Sequence, residues 1–499
     1  MPPLFNHIIA TSLLLGVSAM PAAAEEMDLK TAIEAVIDQH PDLAISKLDR
    51  RIAQTDSRRI EGMLDPVVTA RIGASEETTP TTSSFQPSET RLGQFSGSIS
   101  KPLASGGTLG ANFNYNRTSQ AYAPSPLAAQ LSSFNPAYRN QINLNYRHPL
   151  LKGSERPDYE QSLIATQAGV RVAEMQQLIT ARMLALKATN AWFQLSSDDI
   201  NIRIAEQAVK RARDLLNYQQ TREKFGLIEA ADRLQAEALL AARNTDLQRA
   251  RALRAASLSN LNRLMLRNPD AEISIQAESA GFSTPPATPP AMGDAVTVAE
   301  EQRAELKLLQ AQMDAADAQL TMARDGDQIQ LDLIAELGSR ALNTTAGGAA
   351  AAGFTINDHY ASLSVELSEV VGRNSARAAL EKAVLQQQRV AAQRVTTLEQ
   401  IRSDISTAIT ALRSGKPTLI AARKQAAAEK RKFRAEMKRY REGRSDTATL
   451  VQFEGELSRA ELSADLQALT LQLASKQLLW AQGNLLESLH IDIANSHGQ

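Results

Sequence analysis

Chemistry needs nucleophiles, acid–base pairs or metal ligands at workable spacing, and this chain offers few. Its histidines are His7, His40, His148, His359, His490 and His497. No two stand at metal-ligand spacing, and none has an acidic partner in a recognisable motif. The chain has no cysteine, which removes disulfides, a lipid anchor on an N-terminal Cys and every thiolate metal site. There is no nucleophile elbow and no phosphate-cradling glycine loop; Gly106-Gly107 reads as a hairpin turn. The residues therefore point to no enzyme, no cofactor and no metal. Basic and acidic residues number 54 and 55, a net charge of -1, so no global field invites nucleic acid.

The informative residues lie at two chain reversals. Gly226, followed by Leu227, and Gly443, followed by Arg444, each interrupt a helical pattern where a left-handed cap lets the chain turn back. Both are explained in part simply as helix stops. Acids follow each one: Asp232 after the first, Asp446 and Glu454 after the second, with Tyr440 and Arg441 just before Gly443. In a symmetric assembly an inward-facing acid becomes a ring that sorts ions by charge. Tyr440, Asp446 and Asp232 are thus candidates for a gate or selectivity ring, and Asp446 lies closest to its turn.

Such turns need long helices to carry them. Helical patterns run over roughly 29–60, 159–224 and 229–264, and again over roughly 295–324, 375–441 and 447–486. Ala168, Val172, Met175, Ile179, Met183 and Leu186 recur at steps of three and four, as do Leu462, Leu466, Leu469 and Leu473, each a narrow apolar seam. A helix of about 65 residues is roughly 100 Å long, too long for a compact domain. Aromatic residues are only 4% of the chain, which favours helix packing through Ala and Leu. Trp192 and Trp480 fall within helices and read as packing residues.

Between the helices the period changes to two. Val68, Ala70, Ile72 and Ala74 alternate with Thr69, Arg71 and Gly73; Ile142, Leu144 and Tyr146 alternate with Asn143, Asn145 and Arg147. In the second half, Leu331, Leu333 and Ala335, and then Leu363, Val365 and Leu367, repeat the pattern, with Ile334 interrupting the polar side. Each run is about eight to ten residues, enough for a tilted strand to cross a bilayer core. Leu144, Tyr146, Leu363 and Val365 are expected to face lipid. The first half holds one more hairpin, with Phe95, Gly97 and Ile99, a turn at Ser105-Gly106-Gly107, then Leu109, Ala111, Phe113 and Tyr115. Phe95, Phe113, Tyr115, Tyr122, Phe134, Tyr138, Tyr146 and Tyr360 cluster around these strands, as an interfacial aromatic girdle would.

The two halves share anchors in the same order. His40-Pro41-Asp42-Leu43 resembles Arg303-Ala304-Glu305-Leu306, Leu144 to Gly153 resembles Leu363 to Gly372, and Gly226 with Gln235 resembles Gly443 with Gln452. This predicts an internal duplication. Residues 1–24 read as a signal peptide, with an apolar run from Ile8 to Met20 and a small-residue site at Ala24. Residues 25–282 form the first repeat, with strands over about 67–148 and a helical hairpin over about 159–264. A Pro-rich linker at 283–293 leads to the second repeat, 294–487, with strands over about 329–367 and a hairpin over about 375–486. Residues 488–499 form a tail. Beyond the signal, no stretch reaches the roughly 18 apolar residues of a spanning helix.

Thr31-Ala-Ile-Glu-Ala with His40-Pro-Asp-Leu43, His148-Pro-Leu-Leu-Lys-Gly153, Phe225-Gly-Leu227 and Tyr440-Arg-Glu-Gly-Arg-Ser-Asp446 together resemble the TolC family of outer-membrane efflux proteins. The resemblance covers nearly the whole mature chain. It implies an α+β membrane protein: a homotrimer with four strands per copy in one antiparallel transmembrane β-barrel, continued by a long periplasmic α-helical barrel. It implies hairpin tips, here Gly226, Leu227, Gly443 and Arg444, that meet a periplasmic adaptor and close the channel. It further implies an inner-membrane RND or ABC pump as the driving partner, in efflux or type I secretion, and outer-membrane lipid around the barrel of a Gram-negative cell. Family members often carry acids six and nine positions after the second tip glycine. Thr449 and Gln452 occupy those positions here, so that ring does not carry over.

Physics asks for the oligomer independently. Four or six strands cannot close a membrane barrel, and an open edge in lipid leaves backbone groups unpaired. Three copies would bring twelve or eighteen strands, and twelve is expected, with the extra hairpin extending outside the barrel. A periplasmic coiled-coil adaptor or a structural coiled coil is the alternative; the first would carry one helical hairpin between β modules, and the second no strands.

Overall fold

A computed structural model of the chain describes residues 25–83, 85–122, 134–226, 228–275, 288–355 and 358–492. The expected signal peptide, Leu227, residues 283–287 of the Pro-rich linker and the end of the tail lie outside the described residues. The elements are β1 (Glu25–Met27), α1 (Leu29–Gln39), α2 (Pro41–Glu61), β2 (Val67–Thr78), β3 (Pro87–Pro102), β4 (Thr108–Tyr122), β5 (Ala137–Pro149), α3 (Pro157–Lys224), α4 (Ala230–Leu264) and β6 (Ile273–Ile275). They continue with α5 (Met292–Gln302), α6 (Ala304–Gly326), β7 (Gln330–Asn343), α7 (Ala346–Gly353), β8 (His359–Ser368), α8 (Asn374–Arg441), α9 (Thr447–Ala481) and α10 (Leu485–Ser488). The long helices match between the halves: α3 and α8 have 68 residues each, α4 and α9 have 35 each.

The segments expected as single helices over 29–60 and 295–324 are each two helices. The break falls at His40 in the first half, with ψ 128, and at Arg303 in the second, with ψ 120. His40 precedes a proline, whose ring disfavours helical backbone in the residue before it. Arg303 has no proline after it, and its side chain reaches the end of α9 at the break. The guanidinium lies 4.8 Å from the centre of the Trp480 ring and donates to the carbonyls of Trp480 and Ala481, which end α9. Arg303 thus binds the helix terminus that its own bend reaches.

Two compact units divide the chain, and each draws on both halves of the sequence. The first comprises the described residues within 25–44, 180–303 and 400–492. Its core gathers Ile33, Val36 and Ile37 of α1, Leu184, Trp192 and Leu195 of α3, Leu258 and Leu261 of α4, and Leu485 and Leu486 of α10. A two-stranded parallel ladder, Glu25 to Met27 on Ile273 to Ile275, adds Met27 and Ile273 to that core. The expected seam on α3 shifts within this unit. Met183 is 43% exposed, while Ala181, Leu184, Ala185 and Ala188 are buried. On α9 Leu469 of the expected seam is buried in the core together with Ala460, Ala464 and Ala468, while Leu462, Leu466 and Leu473 are only partly buried. Small residues bring helix backbones close, so alanines share the buried stripe with Leu184 on α3 and with Leu457, Leu469 and Leu478 on α9.

The second unit comprises residues 45–179 and 304–399. It is dominated by one six-stranded sheet in the order β2-β3-β4-β5-β7-β8, antiparallel throughout. The extra hairpin, expected to extend outside the barrel, is β3–β4, and within this copy's sheet it lies between β2 and β5 with ladders on both sides. The eight-residue α7 packs on β5 and β7: Asn140 of β5 is buried beneath it and donates to the Ala350 carbonyl, and Tyr115 of β4 donates to that of Ala346.

Candidate functional site

In the first unit, the two reversals are built as their glycines require. Gly226 has φ +72 and Gly443 φ +74, with open space around each missing Cβ, so backbone conformation rather than crowding selects glycine. After α8 the Arg444 N–H donates to the Arg439 carbonyl at 2.9 Å and the Gly443 N–H to that of Tyr440 at 3.0 Å, the paired bonds of a Schellman cap.

Beside these turns four helices share one buried polar cluster. Gln219 of α3 donates to the Tyr440 hydroxyl of α8, and to Thr447 Oγ1 of α9 at 2.8 Å. Thr447 Oγ1 donates to Asp232 Oδ1 of α4 at 2.6 Å and lies 3.0 Å from the Tyr440 oxygen. Gln219, Tyr440 and Thr447 are buried, and Ala212, Leu215, Ala236, Leu239 and Leu450 enclose the cluster. Burial pushes the Tyr440 phenol above the usual tyrosine range. Of the residues expected at a gate, Tyr440 and Asp232 are therefore brought together inside one copy of the chain. Asp446 stands apart: it is the N-cap of α9 and accepts from the Thr449 N–H at 2.8 Å. That bond, with the Thr449 hydroxyl, holds its carboxyl below the usual range. Arg444 pairs with Glu442.

Glu454 has a different place from the one its position near the turn suggests. It is 3% exposed, and Arg243 of α4 meets it through Nη2 at 2.7 Å and Nε at 2.9 Å. Arg211 of α3 donates to its other oxygen at 3.2 Å, and Ser458 at 2.7 Å. Its charge is spent within one copy, joining three helices. Glu454, Ser458 and Glu461 follow one another at steps of four and three, a spacing that presents three acceptors to Arg211.

In the second unit the sheet has two chemically distinct faces. One row across all six strands reads Val68, Ile99, Ala111, Leu144, Leu337 and Ala361; its neighbour on the opposite face reads Thr69, Ser98, Asn112, Asn143, Gly338 and Tyr360. Leu144, Tyr146, Leu363 and Val365 all belong to the apolar face, since Tyr146 pairs with Ala335, which pairs with Leu363, and Val365 pairs with Leu333 two residues along. Leu363 is 73% exposed and Leu144 53%. Tyr360 departs from the expected girdle. It stands on the polar face, accepts from Gln141 at 3.1 Å and lies under the Arg340 guanidinium. Arg147 joins Asp332 and Glu366 at 3.0 and 2.9 Å across three strands of that face.

No family model matches the sequence, and no curated protein matches it. Solved structures do. The outer-membrane channel OprN aligns over 91% of this chain and 90% of its own, with TM-score 0.65 and 17% identity. The outer membrane protein VceC from the bacterial pathogen Vibrio cholerae aligns over 91% and 96%, with TM-score 0.62 and 16% identity. The Campylobacter jejuni CmeC outer membrane channel aligns over 97% and 94%, with TM-score 0.63 and 12% identity. The fold is that of TolC-like outer-membrane channels.

Proposed function

We propose that this chain is one subunit of a homotrimeric outer-membrane channel, a passive conduit with no chemistry of its own. The observation that carries the reading is the six-stranded sheet with one apolar face, one face of Asn, Ser and Arg, and two free edges. A sheet buried in a water-soluble core would hide its apolar face under helices. Here Ile72, Leu363 and Leu367 stay 86%, 73% and 68% exposed, which suits lipid on one side and a watery lumen on the other. Open edges in a membrane cost several kcal/mol for each unpaired backbone group, so further copies must close the sheet. Among the described residues no helix is long and apolar enough to cross a membrane, leaving the strands to do so.

In this reading the matched 68- and 35-residue helices descend from a duplicated unit and line a periplasmic tunnel. Their turns at Gly226–Leu227 and Gly443–Arg444 meet a periplasmic adaptor, behind which an RND or ABC pump supplies the energy, for efflux or type I secretion. The chain is exported by its signal peptide to the outer membrane of a Gram-negative cell. Detergent-purified protein is expected to run as a trimer and to conduct ions in a planar bilayer. A stable monomer without conductance would remove the proposal.

A further inference from the structure

We infer that the hairpin β3–β4 is part of the membrane wall, so that three copies of this six-stranded sheet close an eighteen-stranded outlet in place of one with four strands per copy. The inference rests on the trimeric channel reading above and adds the width of its exit. β3 and β4 have 16 and 15 residues, at least as long as the strands beside them, and each is laddered to a neighbour on both sides. A hairpin extending into water would have no such partners.

The faces continue through the hairpin without interruption. Ile99 and Ala111 stand in the row of Leu144, and Ser98 and Asn112 in the row of Asn143. Phe95, Ile99 and Leu109 are 45%, 45% and 48% exposed, close to the 53% of Leu144. In water such a continuous apolar surface is a liability; against lipid it extends the belt. The connections agree. Residues 103–107 join β3 to β4 in a tight turn whose Gly106, at φ +94, has Gly153 O and Glu155 N at 3.0 Å from a Cβ built on it. That turn lies beside the segment where β5 passes into α3. The remaining sheet connections, residues 79–86, 123–136 and 344–358, are longer. Short turns on one side and longer loops on the other are the habit of membrane barrels.

The edges also fit. Five antiparallel steps leave β2 and β8 running oppositely, so β8 of the next copy can add to β2 without breaking the pattern. Neither strand carries the proline or lysine that guards a free edge. With strands about 4.8 Å apart and tilted about 40°, eighteen strands enclose a barrel roughly 36 Å across, against roughly 24 Å for twelve. The outlet is therefore wide enough for bulky cargo, and selection by size belongs elsewhere in the molecule.

The test uses the whole chain in membranes. Ile99→Arg, Phe113→Arg and the Leu144→Arg control are expected to cut the yield of membrane-embedded trimer roughly tenfold or more, while Ser98→Arg and Asn112→Arg leave it near the parent level. Because a failed variant can simply misfold, a second measurement uses the absence of native cysteine. Single cysteines at 98, 99, 112 and 113 are spin-labelled in vesicle-reconstituted trimer. Labels at 99 and 113 should be relaxed by oxygen dissolved in lipid, and those at 98 and 112 by an aqueous nickel chelate. If all four labels respond to nickel while a label at 144 responds to oxygen, the hairpin lies outside the wall and the inference falls. If the parent is not a conducting trimer, the channel reading itself fails, a result that the trimer and conductance measurements report separately.

Discussion

Glu454 takes a full negative charge to a site 3% exposed, and the two arginines that neutralise it come from different helices. Removing Glu454 leaves Arg211 with Glu461 and Arg243 with Asp246 as their remaining carboxylates, so the loss lies toward the lower end of the about 3–5 kcal/mol that breaking a buried pair costs. Glu454→Ala is therefore expected to lower the melting temperature of the trimer markedly, while Glu456→Ala, at a half-exposed pair with Lys432, changes it little because surface pairs contribute about 0–1 kcal/mol. Equal shifts in thermal melts would mean that the buried triad stabilises nothing. The same scale decides the membrane face. Leu144 and Asn143 are adjacent in sequence but stand on opposite faces of β5, and an arginine on a lipid face costs roughly 2–4 kcal/mol at the midplane. Leu144→Arg should impair outer-membrane assembly and Asn143→Arg should be tolerated. Comparable assembly of the two, scored as heat-resistant trimer, would invert or abolish the assignment of faces.

Helices and strands were legible where a period ran long. The bounds of α3, α4, α8 and the strands follow from steps of three and four or of two, with Gly226 and Gly443 marking the reversals. The seam on α3 was misplaced because Met183 and Leu186 drew attention by size while Ala181, Ala185 and Ala188 made the contact. The three-residue ladder of β1 and β6 was invisible, since its partners lie far apart in sequence and carry no period. The extra hairpin was legible as strands; its position was not, because pairing order depends on neighbours that a strand's own residues do not name. Of the polar cluster at the turns only Asp232 and Tyr440 were legible, since Gln219 and Thr447 join them from two further helices. That cluster makes a prediction about pH. Burial raises the Tyr440 phenol above its usual 10.0, so the folded state favours its neutral form. The stability this lends is complete below about pH 10 and is lost as pH rises through the folded value. Tyr440→Phe should lack that alkaline loss, while being about 1–3 kcal/mol less stable at neutral pH because Gln219 and Thr447 lose a partner. Parallel melting curves at about pH 8 and pH 11 that differ by a constant offset would show that Tyr440 has no part in the alkaline transition.

At the scale of the proposed trimer, threefold symmetry would multiply whatever one turn exposes. The exposed polar groups at the second turn include Arg441, the Arg444–Glu442 pair and the Asp446 carboxylate that caps α9; Tyr440 and Glu454 are already committed inside their own copy. Contacts among three converging turns would then rest on Arg444 and Asp446, and adaptor binding would have to replace those contacts to open the channel. Each contact is weak by itself, so no single substitution should release the closed state. Replacing Arg444 and Asp446 together by alanine is expected to raise resting conductance in planar bilayers more than either change alone, and to weaken block by multivalent cations. Asp446→Ala also removes a helix cap, typically about 1 kcal/mol, which could loosen the turn by itself. Asp446→Asn separates the two effects, because asparagine caps as well as aspartate but carries no charge. If the carboxylates form a ring at the pore, Asp446→Asn keeps the low resting conductance of the parent and loses cation block. A double variant that conducts like the parent and stays sensitive to cations would move the gate to the first turn, where Asp232 accepts from Thr447 and Glu229 begins α4 with no side-chain cap bond.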